Sequence, residues 1–148
     1  MIKTVKGDVT EARDCIIPHG VNCQGKMRSG VAKAIRERWP VVYESFMNIG
    51  ANPKMLGLTQ MVRVEDDTFV INCYTQEYYG YDGQRYASLE AVDSCMKDVF
   101  QTAQHFGKKV CMPKIASDRG GLDWETEVKP IIERYSQEYD VLVYVYQF

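Results

Sequence analysis

Histidine is nearly missing from this chain: His19 and His105 are the only two in 148 residues. The five cysteines (Cys15, Cys23, Cys73, Cys95 and Cys111) are odd in number and widely spaced, and no CxxC pair occurs. A zinc site at the usual Cys/His spacings is therefore excluded, and the thiols read as reduced and buried in apolar runs. Cys23, four residues after His19, keeps a functional reading through that base. Lysine- and arginine-rich runs are absent, and 18 basic against 20 acidic residues give a formal charge of −2. That balance predicts no long electrostatic nucleic-acid footprint. No apolar stretch approaches the roughly 20 residues of a membrane span, and no signal-peptide pattern opens the chain. The expectation is a soluble, cytoplasmic protein with no membrane partner.

What is present fits one domain, residues 1–148, able to bury roughly two-thirds of its unfolded surface without disulfide or metal. Ile2 to Lys6 reads as a strand, and Gly7-Asp8-Val9-Thr10 as a turn. Cys15 to Asn22 is a nearly continuous apolar run, which predicts a strand covered on both faces. Ser29 suits the N-cap of a helix from about Gly30 to Arg38, stopped by Pro40, and Val42, Phe46 and Ile49 mark a second helix. Leu58 to Val64 and Thr68 to Thr75 read as strands around a Glu65-Asp66-Asp67 turn, followed by a tyrosine-rich loop from Gln76 to Arg85. Ala87 to Phe106 carries an apolar stripe, Leu89, Val92, Met96, Val99, Ala103 and Phe106, and Gly107 supplies a stop. Lys109 to Met112 is a strand, Val128, Ile131, Ile132 and Tyr135 mark a last helix, and Val141 to Tyr146 a last strand. The pattern predicts an α/β fold: a mixed sheet with helices on both faces, in three layers.

Two glycine-rich loops, Gly20 to Gly30 and Ala116 to Asp123, each leave a strand and enter a helix. Glycine lets backbone N–H groups approach an anion, and a helix N-terminus adds positive potential. Neither loop has the G-x-x-x-x-G-K-[ST] spacing, and the first lacks G-x-G-x-x-G. The loops read either as a diphosphate cradle or as tight turns. His19, at the end of a core strand, is the candidate general acid or base, and Asp123 the candidate carboxylate; each side chain has a plain alternative, core residue and helix N-cap respectively. A carboxylate facing His19 would raise the pKa of the imidazole. His105 reads as a partner for a helix C-terminus.

Five motifs occur in register: Gly7-Asp8-Val9-Thr10; His19-Gly20-Val21-Asn22-Cys23-Gln24-Gly25; Ser29-Gly30-Val31-Ala32; Thr75-Gln76 with Tyr79-Gly80 and Tyr86; and Met112-Pro113-Lys114-Ile115 running to Asp123-Trp124-Glu125. Together they resemble a macro domain, in the branch that contains the terminal ADP-ribose protein glycohydrolase and the phage and yeast ADP-ribose 1″-phosphate phosphatases. The resemblance implies a single three-layer macro domain that binds ADP-ribose derivatives, without cofactor or metal. It implies that Asp8 accepts from the adenine amino group beside the Val9 backbone, the alternative being an Asx turn. Asn22, counted with His19 and Asp123 as catalytic, would meet the distal ribose. Gly25, Ser29, Gly30 and Val31 would surround that ribose and its phosphate. Ser117, Asp118, Arg119, Gly120, Gly121 and Leu122 would form the diphosphate loop, and Tyr146 would cover the adenine. Asp118 and Arg119 depart from the small or apolar groups expected there. Gln76 stands where the glycohydrolase has its nucleophilic lysine, and Gly120 where it has the partner aspartate, so a lysyl intermediate is not supported. The activity this implies is phosphate release from ADP-ribose 1″-phosphate. The alternatives are a non-catalytic ADP-ribose reader and a hydrolase of ADP-ribosyl esters, with ADP-ribosylated protein as a partner.

Overall fold

The computed structural model describes residues 1–28, 30–78, 85–117 and 120–147; the expectations placed on Ser29, Tyr79, Gly80, Asp118 and Arg119 lie outside the described residues. Strands and helices alternate as β1 (Ile2–Lys6), β2 (Cys15–Asn22), α1 (Gly30–Arg38), α2 (Pro40–Ile49), β3 (Thr59–Arg63), β4 (Phe69–Gln76), α3 (Leu89–Phe106), β5 (Lys109–Met112), α4 (Lys129–Tyr139) and β6 (Val143–Gln147). They form one six-stranded sheet in the order β1-β6-β5-β2-β4-β3, parallel throughout except that β3 runs antiparallel to β4. Strand alternation sends Ile16, Ile71, Cys73, Val110, Met112 and Val143 to the face covered by α3 and α4. It sends Ile17, Val21, Val70 and Tyr74 to the face covered by α1 and α2. The central strands are buried on both sides, which is why they read as apolar runs rather than as alternating patterns.

Local chemistry shifts several boundaries. Helix α3 starts at Leu89 because the Ser88 side chain caps it, accepting from Ala91 N, while Ala87 bridges back to Gln76 on β4. Gly107 ends it in the left-handed conformation, as expected. A five-residue π-helical turn, Trp124–Val128, precedes α4, and the sequence pattern does not reveal it. The last strand begins at Val143 rather than Val141, since Val141 N bonds back to Ser136 O after Asp140 turns left-handed.

Pro18 lies inside β2 and has no N–H to donate. Pairing of β2 with β5 ends at Ile16, whereas pairing with β4 continues to Asn22. Beyond Ile16, therefore, β2 and β5 part. From β2 the chain crosses through α1 and α2 to β3 and then β4 on one side, and from β5 it crosses to β6 on the other. This is the point in an open sheet where the connections diverge and a crevice forms at the carboxyl ends of the strands.

Candidate functional site

The first wall of that crevice is the turn after β2, and Asn22 builds it. Its Oδ1 accepts from Gln24 N at 3.0 Å and Lys26 N at 3.2 Å, and its Nδ2 donates to Lys26 O at 2.9 Å. The amide expected to face a ribose thus closes a turn, and among the described residues one of its N–H groups has no acceptor. Gly25 completes the turn at φ +73°, tucked against Ala51 N. Gly30 starts α1 at φ +60°. Val31 packs half-buried against the Ile35 and Trp39 side of the core.

The second wall follows β5. Ala116 takes φ +61°, and its carbonyl accepts from Leu122 N at 3.1 Å, closing the loop on the buried Leu122. Ser117 Oγ donates to Ile115 O at 3.0 Å. At Gly120 a Cβ would stand 2.6 Å from Ala116 O and 2.9 Å from Ala87 Cβ, so no other residue fits. The Gly120 carbonyl accepts from both Tyr86 N (2.9 Å) and Ala87 N (3.0 Å). Gly121 turns at φ +78°. On the floor between the walls, a Cβ on Gly20 would meet Thr75 Oγ1 at 2.9 Å and Ala116 N at 3.9 Å. Thr75 is skipped in the register between β2 and β4, and its buried hydroxyl has no partner among the described residues. A bulge of this kind re-aims a side chain at the rim of a sheet.

The far end of the crevice lies over β1 and β6. Asp8 caps a short 3₁₀ turn, Val9–Glu11, with Oδ1 alone: it accepts from Thr10 N at 2.9 Å and Thr10 Oγ1 at 2.8 Å. Oδ2 receives no bond from a described residue. The Val9 side chain is buried in the core on the α1 side. Tyr146, opposite Val5 at the end of β6, is half-buried, with its ring edge 4.0 Å from where a Gly7 Cβ would be. Burial and the neighbouring Cys111 push its phenol up to about 12, so it stays neutral.

His19 is a correction. Only 1% of it is exposed, and it lies on the α1/α2 face with Ile17 and Val21. Its Nε2 meets Asn72 Oδ1 at 2.6 Å, Asn72 Nδ2 donates to Gln60 Oε1 at 3.0 Å, and Gln60 Nε2 donates to Ser45 O at 2.7 Å. Because Asn72 uses its NH₂ towards Gln60, its oxygen faces the ring, which assigns the proton to Nε2. Nδ1 is buried without a partner among the described residues. Burial drives the imidazole down to about 4, outweighing the Asn72 bond, where a facing carboxylate would have raised it. Asp123 is exposed and caps the π turn, accepting from Thr126 N at 3.2 Å. The expected pair does not face across one substrate. His19 is a buried neutral group, and Asp123 takes its helix-capping alternative.

One link at this site escaped the sequence reading. Arg85 makes a two-pronged bond to Glu127 (2.8 and 2.7 Å), and Glu127 Oε1 also accepts from Asp123 N at 3.0 Å. This ties the segment ahead of α3 to the end of the second loop. The only sequence signal was Glu127 four residues after an N-cap aspartate, a capping box lengthened by the π turn. Gln76, at the position of the absent lysine, is buried and donates to Tyr78 O at 2.7 Å.

A family model described as Macro domain matches residues 19–131. The chain is 22% identical over 151 residues to the DNA ADP-ribosyl glycohydrolase of Mycobacterium tuberculosis (strain ATCC 25618 / H37Rv), which covers 99% of the chain and 42% of that protein. The chain therefore spans less than half the length of this curated relative. Among solved structures, a Bacteroides thetaiotaomicron protein is 26% identical with a TM-score of 0.87, covering 100% of both chains. A macrodomain protein from Streptomyces coelicolor is also 26% identical, with a TM-score of 0.80 over 100% of this chain and 99% of that one. Thermosipho africanus DarTG in complex with ADP-ribose shares the fold at 20% identity and a TM-score of 0.80, over 98% of this chain and 41% of that one.

Proposed function

This chain belongs to the macro domain family, and from that premise we propose that it binds ADP-ribose along the carboxyl edge of its sheet and hydrolyses the bond joining the distal ribose to its carrier. One observation carries the reading. The recognition elements occur in the order the ligand needs: Asp8 and Tyr146 over β1 and β6, the Ala116–Leu122 loop after β5, and the Asn22–Lys26 turn after β2. Strand spacing of ~4.8 Å sets β1 and β2 about 14 Å apart, the reach of an extended nucleoside diphosphate sugar. Asp8 Oδ2 would accept from the adenine amino group, the Tyr146 ring would lie against the base, and glycine-lined loops would bring N–H groups to the diphosphate.

Hydrolysis at the distal ribose needs a water aimed at the anomeric centre and stabilisation of the charge on the departing group. His19 supplies neither, being buried and neutral. Rate acceleration then rests on positioning by the Asn22 turn and on backbone N–H groups of the two loops. Removal of an ADP-ribosyl group from a macromolecule is favoured because the curated relative is named as a DNA ADP-ribosyl glycohydrolase. Phosphate release from ADP-ribose 1″-phosphate is the second reading; it would use the same pocket, and His19 no longer supplies its acid. Incubation with ADP-ribosylated DNA, ADP-ribosylated protein and ADP-ribose 1″-phosphate in parallel tests this. Free ADP-ribose from either macromolecule supports the first reading and inorganic phosphate the second. Binding of ADP-ribose with no turnover of any of the three makes the chain a reader.

A further inference from the structure

The two edges of the sheet are built differently. The β1 edge carries Lys3 and Lys6, both exposed, the usual device against edge-to-edge pairing. The β3 edge has five regular residues, Thr59-Gln60-Met61-Val62-Arg63, with no proline, no lysine and its middle residue, Met61, 46% exposed. Among the described residues no strand pairs with its outer side.

The register of the β3/β4 hairpin shows which groups point outward. Val64 N bonds Thr68 O at 2.9 Å, and Tyr74 N bonds Leu58 O at 3.1 Å. Hydrogen-bonded pairs alternate in an antiparallel ladder, so Leu58, Gln60, Val62 and Val64 direct their backbone groups at β4. Thr59, Met61 and Arg63 direct theirs to the open side.

We propose that β3 is a homodimerisation strand: two copies pair β3 antiparallel across a twofold axis at Met61, continuing one sheet into the other. With Met61 on the axis, Met61 faces Met61 of the second copy, and Thr59 faces its Arg63. Every outward-pointing N–H and C=O of the three residues then meets an outward-pointing partner. A single residue of slip about that axis would leave part of this set unmatched. The two exposed methionines meet on the side of the sheet that carries α3.

Charge selects a second copy as the occupant. Thr59 Oγ1 donates to Asp98 Oδ2 of α3 at 3.3 Å. Setting Arg63 of the other copy opposite Thr59 brings its guanidinium beside that carboxylate, and the twofold makes the contact twice. Within one chain, among the described residues, Arg63 pairs with Asp67 alone, both side chains largely exposed, an arrangement of little energetic weight. An isologous contact closes after two copies, so it makes dimers and not fibres. Its small area implies reversible, concentration-dependent association. The twofold reverses strand direction, so the two crevices open at opposite ends of the joined sheet and neither is covered.

Sedimentation velocity on the full chain over a wide concentration range tests this. The wild type is expected to pass from 17.0 kDa towards twice that mass as concentration rises. Met61→Pro removes an outward N–H at an edge position where proline is tolerated, and should weaken association roughly tenfold or more with the fold intact by circular dichroism. Arg63→Glu should weaken it too, and Arg63→Glu with Asp98→Arg should restore it. That charge swap decides the matter even if the proline variant fails to fold. A wild type that stays at 17.0 kDa throughout overturns the proposal, as does a double variant that associates no better than Arg63→Glu alone.

Discussion

Asp8 divides its two oxygens: Oδ1 holds the turn through Thr10, and Oδ2 takes no bond from a described residue. Both sequence readings of Asp8, turn residue and ligand acceptor, are therefore compatible in one side chain. Asp8→Ala should weaken ADP-ribose binding by roughly 1–3 kcal/mol, because a desolvated amino group would lose its acceptor. Asp8→Asn keeps the Oδ1 cap and should retain the melting temperature while still weakening binding. Calorimetry and thermal melts on the two variants check this; loss of binding only where stability falls would make Asp8 purely structural. At His19 the expectation concerns stability. The imidazole takes up a proton near 6.5 when unfolded and near 4 when folded. Between those values the unfolded chain binds more protons, so the contribution is complete above about pH 6.5 and declines as pH falls towards 4. The interval corresponds to roughly 3 kcal/mol. Subtracting the His19→Gln stability profile from that of wild type isolates this slope from the carboxylates that titrate nearby. Parallel profiles would contradict a buried neutral imidazole.

Among the elements, the loops carry more of the account than the helices do. Gly120 has backbone within 2.6 Å of where a Cβ would go, and backbone cannot yield as a flexible side-chain end can. Gly120→Ala should cost about 1–3 kcal/mol of stability by overpacking and should weaken ADP-ribose binding more than Asp8→Ala does, since the whole second wall shifts. Chemical denaturation with calorimetry on one preparation reads both. Asn22→Ala removes three hydrogen bonds inside the first turn, so hydrolysis should fall while the melting temperature drops by only a few degrees. If activity survives and stability collapses, the turn does not shape the reacting end.

Element types were legible because β2, β4 and α3 announce themselves by apolar runs and a helical stripe. What escaped was set by tertiary contacts. The π turn at Trp124–Val128 depends on Glu127 reaching back to Asp123 N, while Arg85, remote in sequence, holds the same carboxylate. The misreading of His19 has a simpler origin. Its position at a strand end was clear, but alternation puts it with Ile17 and Val21 on the α1/α2 face, where Asn72 and Gln60 complete a buried polar chain. Asn72 and Gln60 carried no signal that could be read without the strand register.

For the whole molecule, the decisive feature is the parting of β2 from β5 beyond Ile16, with Pro18 two residues further along the strand. It opens the crevice at Gly20, whose missing side chain leaves space beside Thr75 Oγ1 and Ala116 N. Asp8 and Tyr146 extend the same edge by two strands. A calorimetric titration of the full chain with ADP-ribose tests this arrangement most directly. The account predicts saturable binding at one site per chain, weakened in Asp8→Ala and in Gly120→Ala and unchanged in His19→Gln. Folded wild-type protein that takes up no ADP-ribose, or binding that survives both Asp8→Ala and Gly120→Ala at full strength, would contradict it.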